Sequence, residues 1–165
     1  MDESIDFKTK ILAWLAGDYN VSIETIPRNA PVEWAIKVEA KAPSRIAFVV
    51  QKPKSKEAVV LTMGIALSQK HRDVLAGLPS VEREKFSIEL LQSLIMICPQ
   101  CKVLAQPSPR ELKTILISRE ITLEALSRQI LVDSSTTLIN MFIITVLRLN
   151  ALGGGRQGAV VEGYM

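Results

Sequence analysis

Between Glu33 and Leu67 the chain alternates hydrophobic and polar positions with a period of two, the repeat of a β-strand half buried on one face. Across Glu33 to Lys41, Trp34, Ile36, Val38 and Ala40 fall on one side of the pleat, and Glu33, Lys37, Glu39 and Lys41 on the other. After the break at Ala42-Pro43-Ser44, Arg45 to Gln51 is apolar on both faces, which predicts an interior strand. Lys52-Pro53-Lys54-Ser55-Lys56 reads as a polar turn before a third extended run, Glu57 to Ile65. Connections this short join antiparallel neighbours, because a parallel pair needs a crossover of a dozen or more residues.

Upstream, Phe7, Ile11, Trp14 and Leu15 recur at helical spacing between Ser4, a capping residue, and Gly17, a stop. They predict a helix from Ile5 to Ala16. Asp18 to Ile26 alternates again and ends at Pro27-Arg28-Asn29-Ala30-Pro31. Beyond Leu67 a short helix runs from Ser68 or Gln69 to Ala76. A longer one, capped by Ser80, carries Val81, Phe86, Ile88, Leu90, Leu91, Leu94, Ile95 and Ile97 on more than one face, so it is expected between two layers. Lys102 to Gln106 and Leu112 to Ile121 predict a hairpin around Pro107-Ser108-Pro109. A helix from Thr122 or Leu123 to Val132 and another opening at Ser134 or Ser135, with Leu138, Met141, Phe142, Thr145, Leu149 and Leu152, complete the pattern. The expectation is an α+β domain over 1–152, with an antiparallel sheet of five to six strands and helices on one face, followed by a mobile tail over 153–165.

Composition narrows the function. The 165 residues are enough for a core without metal or disulfide support. The hydrophobic share of 48% with eight aromatic residues makes that core aliphatic and leaves apolar surface for a homodimer interface. A net charge of +3 and interleaved basic residues give no nucleic-acid stripe. The lysines Lys52, Lys54, Lys56 and Lys70 with Arg72 read as solvated charges protecting sheet edges, since no exposed aromatics accompany them. Met1-Asp2-Glu3-Ser4 lacks the basic start of a leader, and Leu138 to Leu152 is interrupted by Asn140, Arg148 and Asn150. A cytoplasmic protein that does not span a membrane is therefore expected.

Candidate chemistry is sparse. Cys98-Pro99-Gln100-Cys101 can close a disulfide, donate half of a zinc site, or exchange thiols. The four residues resemble the glutaredoxin active site. Their position after a helix, where the dipole disfavours a thiolate, differs from that family's placement at a helix start. His71 is the only histidine and has no nucleophile elbow to serve. Gly153-Gly154-Gly155-Arg156-Gln157-Gly158 lacks the lysine and hydroxyl of a phosphate loop. Glu82, Glu84, Glu89, Glu111, Glu120 and Glu124 sit at solvent positions. No catalytic, cofactor-binding or metal-binding residue is assigned.

The order of elements, with Ile117-Ser118-Arg119-Glu120-Ile121 ahead of Leu126 and a long final helix, resembles an uncharacterised archaeal family. That family is related in fold to type III secretion chaperones and YbjN-like regulators. The resemblance implies a non-enzymatic, dimeric module that holds an extended polypeptide client. The alternative is a thiol-dependent redox enzyme or sensor using Cys98 and Cys101.

Overall fold

A computed structural model describes residues 3–153, with side chains from residue 6 onward. Ten elements follow one another. Helix α1 (Glu3–Leu15) leads into strands β1 (Tyr19–Ile23), β2 (Val32–Ala40), β3 (Ala47–Pro53) and β4 (Ala58–Ala66). Helices α2 (Gln69–Ala76) and α3 (Ser80–Ile97), the hairpin β5 (Lys102–Ser108) and β6 (Glu111–Thr122), and helix α4 (Arg128–Leu152) complete the chain.

The six strands form one antiparallel sheet in the order β1-β2-β3-β4-β6-β5. Register explains which face is buried. Ile36 and Val38 oppose Val50 and Phe48, Val50 opposes Leu61, and Val59, Met63 and Ile65 oppose Ile121, Ile117 and Ile115. One continuous apolar face results, and the helices cover it. α1 lies on β1 and β2, α4 on β4, and α3 on β5, with α2 against α4. Ile11 and Leu15 of α1, Leu90 and Leu94 of α3, and Leu131, Leu138 and Met141 of α4 are buried in that layer. The other face carries Lys37, Gln51, Thr62, Thr114 and Ser118 and is partly exposed, the usual division for an antiparallel sheet. Across it, the 2.6 Å ion pair with Glu39 raises the pKa of Lys37.

The α+β architecture matches the expectation, and several boundaries move for physical reasons. Ser4 lies inside α1 rather than at its cap, and its side chain is outside the described residues, as is the tail from residue 154 on. Pro79, not Ser80, occupies the N-cap of α3 and makes no side-chain cap bond. Arg83 ties this start down instead, its Nη2 donating to the carbonyls of Leu78 at 3.1 Å and Ala76 at 3.4 Å. β5 runs through Pro107 and Ser108, with a register irregularity at Gln106/Pro107. An outer strand tolerates a proline there.

The two helices expected from 122 onward are one. Residues 122–126 form a turn pinned by the Leu123 N–H on the Glu57 carbonyl at 3.0 Å, and Ser127 caps α4 by accepting from the Ile130 N–H at 3.2 Å. Ser134 and Ser135 do not break the helix. Their buried hydroxyls donate back to the carbonyls of Ile130 and Leu131 at 2.6 and 2.7 Å. Nor is α3 sandwiched within the chain: Ser87, Leu90 and Leu94 are buried, while Val81, Ile88, Ile95 and Met96 are exposed. By length and composition α4 is the one described helix able to cross a membrane. Here its Leu131, Leu138, Met141, Phe142 and Leu149 are buried against the rest of the fold.

Candidate functional site

The cysteine pair sits where α3 hands over to β5. The Cys98 N–H closes the last turn of α3 on the Leu94 carbonyl at 3.1 Å, and the Cys101 N–H returns to the Cys98 carbonyl at 3.0 Å. This tight turn brings the Cα atoms to 5.3 Å and the two sulfurs into a disulfide. Cys98 is 1% exposed and Cys101 8%, both part of the core, whereas Pro99 and Gln100 face solvent. The bond therefore clasps a helix end to an outer strand, with its sulfurs turned inward.

His71 does not join it. Its Nε2 lies 2.8 Å from Asn150 Oδ1 in the last turn of α4, and its N–H is held by Ser68 Oγ at 3.2 Å. The cysteines lead instead into Lys102, which pairs with Ser118 near the end of β6, next to the turn that begins α4. Phe86, which meets the same end of α4 as Asn150, stands twelve residues, about 18 Å of helix, before Cys98, so the histidine and the disulfide lie apart. The ring links α2 to α4.

Three of the candidate carboxylates are paired at the surface. Glu84 accepts from Arg110 Nε at 3.3 Å, Glu120 from Lys56 at 2.6 Å, and Glu111 pairs with Lys113 at 2.8 Å, which lowers the Glu111 pKa. Among the described residues no group of three or more His, Cys, Asp or Glu could hold a metal ion.

Lys52 corrects the reading of the lysine turn. It is the penultimate residue of β3 and 1% exposed, with Nζ donating to the Lys56 carbonyl at 2.8 Å, Glu33 Oε1 at 3.2 Å and the Pro53 carbonyl at 3.3 Å. It shares the parity of Phe48 and Val50 and opposes Trp34, so the alternation alone carried the signal. Lys54 and Lys56 stay exposed, but their turn joins two interior strands, so they guard no sheet edge.

The remaining conspicuous feature is apolar surface. Val81, Ile88, Ile95, Met96 and Ile97 of α3, Leu104 of β5, and Ile143 and Leu147 of α4 are all exposed. Between the two helices Phe86, Leu147, Arg148, Ala151 and Leu152 line an open groove with a single charge. Exposed apolar surface of this kind is the usual mark of an interaction site.

A crystal structure of an uncharacterized protein from Methanothermobacter thermautotrophicus shares this fold, with a TM-score of 0.74 at 15% identity over 88% of this chain and 96% of that one. No curated protein matches the sequence. A family model described as an uncharacterized conserved protein (DUF2299) matches residues 7–149, and the chain belongs to that family.

Proposed function

We propose that this protein is a non-enzymatic, polypeptide-binding module of the cytoplasm, chaperone-like in action, that works as a homodimer. The observation carrying this reading is the apolar surface left open on the helix layer, from the groove between α3 and α4 to Ile143 and Leu147. Monomeric soluble proteins rarely expose large contiguous apolar patches without an interaction to serve. An extended segment with alternating apolar side chains suits the groove, and Arg148 at its wall favours a carboxylate on that segment.

Fluorescence anisotropy of a short labelled peptide of alternating Leu and Ser, with one Glu, tests this. Saturable binding is expected, weakened about tenfold or more by Leu147→Glu, as for a truncated hot spot of ~1.4 kcal/mol. No saturation, or binding indifferent to Leu147→Glu, overturns the proposal. The buried Cys98–Cys101 disulfide supports a second reading, a thiol-dependent redox enzyme or sensor. A dithiol-exchange assay distinguishes the two: steady turnover lost in Cys98→Ser favours the second, and slow stoichiometric reduction favours the first.

A further inference from the structure

Of the nine exposed large hydrophobic residues described, five belong to α3 (Val81, Ile88, Ile95, Met96 and Ile97) and one, Leu104, to β5, where its register with Leu116 puts it on the sheet face turned from the helices. These two elements end the helix layer and the sheet on the same side of the molecule, since β5 is the terminal strand and α3 packs on it. Within α3, Val81, Ile88 and Ile95 recur at a spacing of seven, the seam spacing of paired helices. The seam faces away from α4. Ile88 stands two residues, about 200° of helical rotation, from Phe86, which lines the groove with α4. Glu84, on the seam's own flank, reaches Arg110 at the turn between β5 and β6.

We propose that a second copy of this chain covers the margin, two β5 strands pairing antiparallel about a two-fold axis while the α3 seams meet above them. The proposal rests on the homodimer reading above and assigns its interface.

Levels along the two elements agree with a single axis. Both are measured from the disulfide, whose Cα atoms are 5.3 Å apart. Leu104, the middle of the open stretch of β5, lies three residues past Cys101, about 10 Å in a strand. The midpoint between Ile88 and Ile95 lies between six and seven residues before Cys98, about 10 Å in a helix. An axis through Leu104 therefore sets Ile88 of each copy opposite Ile95 of the other.

Charge agrees as well. Lys102 is the only charged residue of β5, and pairing centred on Leu104 places it opposite Gln106, with no like charges in register. Glu84, beside the seam, is already neutralised by Arg110. The margin is close to the size such an interface needs. An 18-residue helix is about 27 Å long, and a helix stacked on a sheet presents roughly 20 Å of height. That footprint of about 500 Å², enlarged by side-chain relief, approaches the ~600–800 Å² per partner of a stable interface. The pairing also removes an open strand edge and gives α3 the second covering layer that its apolar residues on more than one face demand.

Size-exclusion chromatography with light scattering on the full chain at roughly 10 μM, a concentration at which standard interfaces hold, tests the proposal. The expected mass is twice 18.2 kDa, falling to 18.2 kDa in the double variant Ile88→Glu/Ile95→Glu with an unchanged circular dichroism spectrum, because both side chains are exposed. The double variant Ile143→Glu/Leu147→Glu on α4 should remain dimeric. A dimer that survives the α3 changes, or one that dissociates with the α4 changes, overturns this interface and leaves the homodimer reading standing. A monomeric native chain overturns both.

Discussion

Lys52 shows how far a single side chain can depart from its composition-based reading. Its ammonium is inside the fold because the strand's parity directs it there, and its hydrogen bonds to two carbonyls and Glu33 compensate for lost water. Those carbonyls belong to the β3–β4 turn, so the lysine holds the hairpin as much as it fills volume. Lys52→Ala should cost about 2–3 kcal/mol in urea unfolding, less than for a fully buried pair because Glu33 remains partly solvated. Lys52→Met, which keeps the bulk, should cost less than Lys52→Ala. Tyr19 gives a pH signature. Burial raises its pKa above the ordinary 10.0, against the lowering effect of its hydrogen bond with Thr136. The unfolded chain then ionises first, so stability should fall as pH rises past about 10, and Tyr19→Phe should flatten that fall in pH-dependent thermal unfolding.

At the scale of elements, the sequence was most legible where one face of a strand or helix is buried. The period-two run from Trp34 to Ile65 yields β2, β3 and β4 within a few residues and their antiparallel order, because short polar connections leave no other pairing. Capping was less legible, since serine has two uses. Ser127 at the true start of α4 bonds the Ile130 N–H, whereas Ser134 and Ser135 satisfy their hydroxyls on carbonyls four residues back. Local chemistry favours either, and only the packing of Leu131 and Leu138 on one buried face decides for a continuous helix. Ser127→Ala should therefore lower the unfolding free energy by about 1 kcal/mol, and Ser135→Ala should change it by less than ~0.5 kcal/mol, measured by urea denaturation. The candidate surface was legible only in part. The excess of apolar residues on α3 was plain from Val81 to Ile97, but which of them remain outside depends on where α4 and β5 lie. That placement is a long-range matter no local pattern encodes.

For the whole molecule, the absence of convergence matters as much as any contact. The disulfide, the histidine and the paired carboxylates occupy separate parts of the described fold. Its open features are an apolar groove between helices and an apolar margin at the end of the sheet. The sheet order has its own consequence. The strands from Tyr19 to Ala66 form a meander in which each pairs with its neighbours in sequence, but β4 finds its outer partner only in β6, where Ala58 meets Thr122. Until the ribosome has released that distant segment, β4 presents a bare row of amide and carbonyl groups along an apolar strand, the kind of edge that recruits other nascent chains. Closure of this gap, which carries a large loop, is the step expected to limit the rate at which the chain matures.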